Sequence, residues 1–248
     1  MSEYREHFDA RGARYNQALR LYPRARREEG RRMLECLRLS ADTRWLDLGA
    51  GGGFLAEAAR EEGQGGAAVG CDESEAFLAG ASVYGLRAVA DYRRLPFADA
   101  GFGAAACLAA LHHVEDPLLV VGEMLRVTAP GGTVAVGDVR RGSPAAEFLN
   151  VFVDEHTDLG HRGRFYDVDG FAEIVERAGG RDARGTAHRV PWTFGGRGDA
   201  RRFCRDLFGL RPGTPNGELD RALDGVGLAE SDDAWTLPWD MVFVSARA

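Results

Sequence analysis

Residues 45–53 read WLDLGAGGG, and the helix-forming run FLAEAAR follows at once at residues 54–60. A short apolar run that ends in an acidic residue, then glycines at alternate positions, then a helical run is the pattern of a strand, a tight turn and a helix N-terminus. Glycine adopts backbone dihedral angles that other residues avoid, and it lets a ligand lie against the main chain beside the helix amides. The stretch therefore predicts a loop that binds a nucleotide or a nucleoside.

The spacing of the glycines narrows the class of ligand. Dinucleotide-binding loops have the pattern G-x-G-x-x-G and place a pyrophosphate at the helix N-terminus. Here Asp47 precedes Gly49, Gly51 and Gly53, and no lysine follows that could bind a phosphate. Because the Asp47 carboxylate can accept a hydrogen bond from an ammonium group, the loop favours a cationic nucleoside over a phosphorylated one.

Length and composition limit the classes of protein. The chain has 248 residues, 45% of them hydrophobic and 28% charged, with a net charge of -7. It is long enough for one α/β domain with a core that needs no disulfides, and its four cysteines form no C-x-x-C pair. The acidic charge without a basic tail argues against a nucleic-acid substrate. The lack of a long apolar segment and of a signal peptide predicts a cytoplasmic protein with no membrane span.

From residue 43 onward, strand-like and helix-like patterns alternate. The predicted strands are 43–48, 67–71, 86–90, 103–109 and 133–139, and the predicted helices between them are 54–62, 73–84 and 116–127. Strands separated by helices of this length imply right-handed crossovers and a parallel sheet that is covered on both faces. Since ligands of such sheets bind beyond the carboxyl ends of the strands, the functional residues are expected directly after the strands.

Two carboxylates follow later strands. Asp72 comes nineteen residues after Gly53, at the end of the second strand. At that distance a carboxylate can accept both ribose hydroxyls of a nucleoside bound on the glycine loop, and a helix N-cap is its alternative role. Asp91 follows the third strand, where it can accept a hydrogen bond from the exocyclic amine of a base.

Five motifs occur in register between residues 43 and 140. They are WLDLGAGGG, GCDES, ADYRRLPFAD, CLAALHHVEDP and LRVTAPGGTVAVGDV. In order and spacing they resemble the class I S-adenosylmethionine-dependent methyltransferases, particularly the methyltransferase type 11 group with the ubiquinone and menaquinone methylases. The resemblance implies a Rossmann-like, doubly wound α/β fold. Its seven-stranded sheet would be mostly parallel with an antiparallel last strand, with N-terminal helices and a helical insertion before that strand.

The resemblance also implies S-adenosyl-L-methionine as the cofactor. Asp47 and residues 49–53 would bind the methionyl part, and Asp72 the ribose. Asp91 and Tyr92 would bind the adenine, and the turn at Leu108 would lie beside the sulfonium. The full set of expected cofactor-binding residues is Tyr15, Asp47, Gly49, Ala50, Gly51, Gly53, Asp72, Glu73, Asp91, Tyr92 and Leu108.

Three histidines are candidate catalytic residues, because a neutral imidazole can take a proton near pH 7. His112 lies beside His113 just past the fourth strand, where an orienting role is the first interpretation and a base the second. His156 and His161 lie in a segment dense in charged residues, which favours a base or a substrate contact over a solvated loop. Asp138, at the end of the fifth strand, is a further candidate. No metal is expected, since adjacent histidines without nearby carboxylate ligands are weak evidence for one.

The remaining segments are interpreted as covers of the cofactor core. Residues 1–248 form one methyltransferase domain with a helical lid at 1–40, a cofactor-binding core at 43–140, a substrate-covering loop at 141–166 and a helical insertion at 191–238. The lid is expected to bring the Tyr15 hydroxyl near the cofactor. The aromatic residues of the insertion predict a satellite core, the subunit contact of a homodimer, or the wall of a pocket for an apolar or aromatic substrate.

The predicted function is methyl transfer from S-adenosylmethionine to an oxygen, carbon or nitrogen of a small-molecule or carrier-bound acceptor, in secondary metabolism or quinone-like biosynthesis. In-line attack on a sulfonium methyl needs positioning and exclusion of water more than a fixed motif, so no motif names the acceptor. Two alternatives stay open: a cyclase or lyase that holds the cofactor without using its methyl group, and a binding or regulatory module. A nicotinamide-dependent reductase is disfavoured by the glycine spacing.

Overall fold

A central β-sheet organises the computed structural model, which describes residues 3–231 and 233–248, without the side chains of residues 3–10. The strands within these ranges are β1 (Trp45–Leu48), β2 (Ala68–Asp72), β3 (Leu86–Val89), β4 (Phe102–Leu108), β5 (Thr128–Val139), β6 (Arg181–Phe194), β7 (Ala229–Ser231) and β8 (Ala234–Arg247). Their order across the sheet is β3-β2-β1-β4-β5-β8-β6, and β7 pairs with β8.

The first five strands are parallel, and β8 runs antiparallel between β5 and β6. Strand order reverses between β1 and β4, so a crevice lies beyond their carboxyl ends. This confirms the Rossmann-like, mostly parallel sheet with an antiparallel last strand. The short strand β7 is an addition to the predicted seven, formed where the chain turns back into β8.

Helices cover both faces of the sheet. They are α1 (Glu3–Leu21), α2 (Arg27–Leu37), α3 (Phe54–Glu61), α4 (Glu75–Leu78), α5 (Pro117–Val127), α6 (Pro144–Glu147), α7 (Asp154–His156), α8 (Val168–Arg177), α9 (Arg197–Leu207) and α10 (Asn216–Val226). All four residues of β1 are buried, as expected for a strand covered on both sides. Among the described residues, no helix combines the length and apolar character that crossing a lipid bilayer requires.

The helix predicted over 73–84 is much shorter, because α4 ends at Leu78. The side-chain amide of Asn16 on α1 donates hydrogen bonds to the carbonyl oxygens of Ala76 and Phe77, both at 3.1 Å. These carbonyls would otherwise accept from the next helical turn. The docking of α1 therefore replaces the second half of the predicted helix.

The chain after β5 and the last strand also differ from expectation. The stretch expected as a substrate-covering loop contains a π-helical segment, Phe148–Val153, between α6 and α7. β6 extends to Phe194, and β8 begins at Ala234. The two strands therefore take up both ends of the stretch expected as an insertion, and α9 and α10 lie between them.

Helix α5 offers a matched test of the core, because Met124 is fully buried while Leu119 is 53% exposed. We expect Met124→Ala to lower the free energy of unfolding by about 2–5 kcal/mol, since it removes apolar contacts and leaves a cavity. Leu119→Ala should change it by less than about 0.5 kcal/mol. Urea denaturation of both variants measures the difference, and equal losses would contradict the packing described for this helix.

Candidate active site

The glycine loop that joins β1 to α3 has the strained backbone that its sequence predicted. Gly49, Gly51 and Gly53 have φ values of 71°, 50° and 87°, in the left-handed region that residues with a Cβ rarely adopt. A Cβ on Gly49 would lie only 2.5 Å from the Cβ of Ala110. The loop therefore lies directly against the turn that follows β4, and glycine is required for that approach.

Asp72 fixes this loop to the end of β2. Its side chain is 2% exposed; Oδ2 accepts a hydrogen bond from the amide of Gly51 and Oδ1 one from the amide of Ser74, both at 2.9 Å. Ser74, not Asp72, is the N-cap of α4, so the alternative role considered for Asp72 is wrong. Burial raises the pKa of Asp72 to about 6, opposed by hydrogen bonds that include the Tyr92 hydroxyl. Each carboxylate oxygen retains further acceptor capacity for a ligand hydroxyl.

Asp47 lies beneath the loop rather than in the cavity lining. It is 2% exposed, and the Tyr84 hydroxyl donates a hydrogen bond to its Oδ2. Burial raises the pKa of Asp47 to about 7; the Tyr84 bond opposes this and the charge of Asp72 adds to it. Two buried carboxyls with raised pKa values therefore lie under one loop, which suits a cationic ligand.

Helix α1 covers the loop through Tyr15. The Tyr15 ring stacks on Phe77 with a centroid distance of 4.4 Å, and its hydroxyl accepts a hydrogen bond from Arg26 Nη1 at 3.4 Å. A Cβ on Gly51 would lie 3.1 Å from that hydroxyl. The structure thus places Tyr15 beside the glycine loop.

Three of the expected cofactor-binding residues, Asp91, Tyr92 and Glu73, lie outside the cavity that the loop lines. Asp91 forms an exposed ion pair with Arg93 at 2.7 Å, which lowers the pKa of Asp91. Tyr92 is 1% exposed, and its amide donates to Glu73 Oε1 at 3.4 Å. Glu73, Tyr92 and Arg93 line an adjacent groove. Because Arg93 stands two residues away, Asp91 is paired locally instead of pointing at the loop.

One cavity joins the glycine loop to the segments that follow β5. Its cofactor side is lined by Tyr15, Gly49, Gly51, Asp72, Phe77 and Leu108. Its other side is lined by Leu149 of the π-helical segment, by Trp192, Phe208 and Trp239, and by His112, His113 and His161. Of the expected cofactor set, Ala50 and Gly53 remain in the loop itself but do not line this cavity.

Buried aromatic rings form the far wall. Trp192 on β6 and Trp239 on β8 stack at a centroid distance of 4.2 Å and an interplanar angle of 22°. Phe208, just after α9, stacks on Trp239 at 6.0 Å. Phe194 and Phe203 pack with Tyr22 of the segment after α1, and Phe203 also packs edge-on against Trp192 at 5.5 Å. The aromatic residues expected in the insertion thus form a cavity wall that is continuous with one hydrophobic core, and not a separate satellite core.

A buried ion pair supports this wall. Glu29 of α2 is fully buried; it accepts hydrogen bonds from the Arg26 guanidinium and from Trp192 Nε1, the latter at 3.0 Å. The guanidinium also lies 4.1 Å from the centre of the Phe54 ring. A buried charge needs such a partner, and the pair in turn fixes the Trp192 ring. No local sequence pattern indicates this arrangement, because Glu29 and Trp192 are 163 positions apart in the chain.

His112 is oriented by Asp138. Its Nδ1 lies 2.8 Å from Asp138 Oδ1, and its amide donates to Asp138 Oδ2 at 3.1 Å. Both side chains are buried, and Leu108 of β4 pairs with Gly137 of β5, which brings the two residues together. A carboxylate at this distance can accept a hydrogen bond from the Nδ1–H tautomer of an imidazole, the tautomer in which Nε2 is the acceptor nitrogen.

The structure brings together His112, His113 and His161, but not His156. The ring of His161 lies 5.3 Å from that of His112 and 4.9 Å from that of His113. His156 stacks on Phe152 at 4.1 Å, and its nitrogens lie 2.8 Å from the Phe152 carbonyl and 3.2 Å from Glu218. Helix α7 turns His156 toward α10, away from the cavity lining.

Comparison with known proteins finds a family match in the core. The model of the methyltransferase domain matches residues 46–136. The ubiquinone biosynthesis O-methyltransferase of Pseudomonas aeruginosa is 32% identical over 126 residues, which are 48% of this chain and 53% of that protein. The chain thus spans about half the length of the curated relatives that it matches.

Solved structures share the fold over the whole chain. Phosphoethanolamine N-methyltransferase 2 of Haemonchus contortus, in complex with S-adenosyl-L-methionine, has a TM-score of 0.68 at 18% identity and covers 100% of this chain and 60% of that one. An S-adenosylmethionine-dependent methyltransferase of Thermotoga maritima, described as a possible histamine N-methyltransferase, has a TM-score of 0.65 at 17% identity over 98% of this chain and 99% of that one. Residues 46–136 therefore match the methyltransferase domain, and the chain as a whole shares the fold of these methyltransferases.

Proposed function

We propose that the protein transfers the methyl group of S-adenosylmethionine to an apolar or aromatic small molecule. One observation carries this proposal: the glycine loop with Asp72 and the wall of Trp192 and Trp239 face each other across one cavity. Catalysis of methyl transfer depends mainly on holding donor and acceptor in line and excluding water. A cavity with a nucleoside-binding side and an apolar side meets both needs.

The cofactor side fits S-adenosylmethionine, whose sulfonium supplies the electrophilic methyl group. The absence of side chains at Gly49 and Gly51 leaves room against the main chain, and Asp72 has acceptor capacity for ribose hydroxyls. Asp47 lies close enough to Asp72 for their charges to interact, so both attract a cationic ligand. We propose that Tyr15 closes this side from α1.

The acceptor side carries one oriented polar group, His112. Leu108, placed by the family resemblance beside the sulfonium, lines the same cavity as His112. We propose that the His112 side chain activates the acceptor heteroatom and that Asp138 is its positioning residue, through the 2.8 Å contact with Nδ1. The rings of His113 and His161 lie beside that of His112 in the cavity lining.

The aromatic lining of the cavity and the net charge of -7 support a small-molecule or carrier-bound acceptor over nucleic acid. The cytoplasmic location remains a proposal that rests on the sequence, as does the homodimer. The buried aromatic residues between β6 and β8 pack in the cavity wall and the hydrophobic core of one chain.

Calorimetry with S-adenosylmethionine and with NADPH tests the cofactor assignment directly. Tight binding of NADPH alone would refute it. Incubation with S-adenosylmethionine and a panel of phenols and aromatic amines, read out as S-adenosylhomocysteine formed, then tests methyl transfer. Turnover of a substrate with the cofactor left intact would instead support a cyclase or lyase.

Asp72→Ala should weaken S-adenosylmethionine binding by about 10- to 100-fold, because it removes an acceptor worth about 1–3 kcal/mol and releases the Gly51 amide. Calorimetry measures the dissociation constant. The exposed Asp169, in the first turn of α8, provides the control Asp169→Ala with unchanged affinity. Unchanged affinity in Asp72→Ala would refute the ribose assignment.

Binding of S-adenosylmethionine should weaken as pH falls. The pKa values of Asp47 and Asp72 are raised to about 7 and about 6, so both are largely ionised at pH 7.5 and largely protonated at pH 5.5. Since a cation binds the ionised form, affinity should drop about tenfold or more over this range. Asp47→Asn should bind more weakly at pH 7.5 and depend less on pH. A flat profile in the unmodified protein would contradict the role of Asp47.

His112→Gln should lower kcat about 100-fold or more while the affinity for S-adenosylmethionine changes little, because the side chain acts on the acceptor. Steady-state kinetics together with calorimetry separates the two quantities. His188 on β6, whose Nε2 contacts Thr186, gives the matched control His188→Gln. Equal kcat values in the His112 and His188 variants would contradict a role of His112 in catalysis.

A further inference from the structure

We propose that His112, His113 and His161 together bind a divalent transition-metal ion at the acceptor end of the cavity. One ring nitrogen from each residue lies within 4.8 Å of the others. His112 and His113 stand on a 3-10 turn, Leu111–His113, directly after β4, and His161 stands on the loop after α7. The tertiary structure thus brings imidazoles together from positions almost fifty residues apart.

The ligand-bearing rings are held by the kind of partners that metal-binding histidines use. Such histidines donate their second ring N–H to a carboxylate or another oxygen, which leaves the other nitrogen for the metal. His112 Nδ1 lies 2.8 Å from Asp138 Oδ1, and His161 Nδ1 lies 3.3 Å from Asn150 Oδ1. In both residues the arrangement presents Nε2 as the ligand atom.

Hydrogen bonds with Asn150 and Asp154 hold the loop that carries His161. Asn150 of the π-helical segment accepts from the amide of Gly163 and donates to its carbonyl, both at 2.8 Å. Asp154 Oδ1 accepts from the amide of His161 at 2.7 Å. π-helical turns often occur at functional sites. This one presents the side chain of Asn150 to the loop, and the first residue of α7, Asp154, contacts it as well.

The same loop is tied to the turn that carries the other two histidines. The amide of Arg164 donates to the carbonyl of His112 at 2.8 Å. A Cβ on Gly163 would lie 3.1 Å from His112 Cδ2, so the backbone passes directly over the ring. The three imidazoles are therefore held in place by contacts beyond those of the rings themselves, as a preorganised site requires.

The ligand set determines the class of metal. Three imidazoles favour zinc, cobalt, nickel, copper or iron over magnesium and calcium, which prefer oxygen ligands. Metal–nitrogen bonds of ~2.0–2.1 Å in tetrahedral geometry require nitrogens about 3.3 Å apart. This spacing falls within the 4.8 Å limit inside which one ring nitrogen of each histidine lies. Three protein ligands leave a coordination position for another group.

That open position faces the acceptor side of the cavity, because all three histidines line it. The metal site itself is inferred independently of the proposed function. Only the identity of the group at the open coordination position, the methyl acceptor, rests on the proposed function. A cation there would polarise a hydroxyl or amine of the acceptor and lower its pKa. His112 would then activate the acceptor as a metal ligand and not as a base.

Metal binding is tested on the full chain after dialysis against a chelator. Titration with Co(II), followed by visible absorption, and with Zn(II), followed by calorimetry, should each give one tight site per chain. His113→Ala and His161→Ala should weaken binding at least 100-fold, because each removes one of three ligands. His188→Ala, which alters a histidine outside the cluster, should bind as the unmodified protein does.

The matched variants also separate loss of a ligand from loss of the fold. Asn150→Ala should weaken Co(II) binding about 10- to 100-fold without removing a ligand, since it acts through His161. The circular dichroism spectrum should be unchanged in His113→Ala, because His113 is only half-buried. The absence of a stoichiometric Co(II) or Zn(II) site, or equal binding by the His113, His161 and His188 variants, would overturn the inference. If the unmodified protein does not bind S-adenosylmethionine, the proposed function is contradicted. The metal site is tested separately, by the Co(II) and Zn(II) titrations.

Discussion

The site depends on the hydrogen bonds that the amides of Gly51 and Ser74 donate to the Asp72 carboxylate. They join the glycine loop after β1 to the start of α4, so two carboxyl ends of the sheet act as one rigid edge. Tyr15 and Phe77 stack over that edge, and Asn16 ties α1 to the last carbonyls of α4. Burial of the carboxyl raises its pKa, a cost that a cationic ligand would offset.

The acceptor side of the cavity is formed by side chains from distant elements and not by one loop. Its aromatic wall comes from β6, β8 and the residue after α9, and the buried pair of Arg26 and Glu29 orients Trp192. The antiparallel pairing of β6 with β8 sets Val190 opposite Trp239, which brings the two indoles onto one face. The extended strands thus convert a stretch expected as an insertion into part of the sheet and its cavity.

Sequence reasoning was most accurate where local pattern and topology agree. The parallel strands, the positive-φ glycines at 49, 51 and 53, and the place of Asp72 at the end of β2 all followed from spacing, because a strand–turn–helix unit fixes its own backbone. It was less accurate where a residue elsewhere in the fold takes the hydrogen-bond partners that the local pattern expects. Asn16 shortens α4 by taking its carbonyls, and Arg93 pairs with Asp91 outside the cavity. Neither effect has a local signature.

The sequence by itself determined the fold class, the glycine loop and the chemistry of the ligand that the loop favours, since these depend on residues close together in the chain. Only the tertiary structure decided which histidines meet. His156 and His161 lie five positions apart in one polar segment, yet α7 turns the first toward Glu218 while the loop carries the second to His112. Side-chain direction after a π-helical turn depends on packing against other elements, and local spacing does not encode that packing.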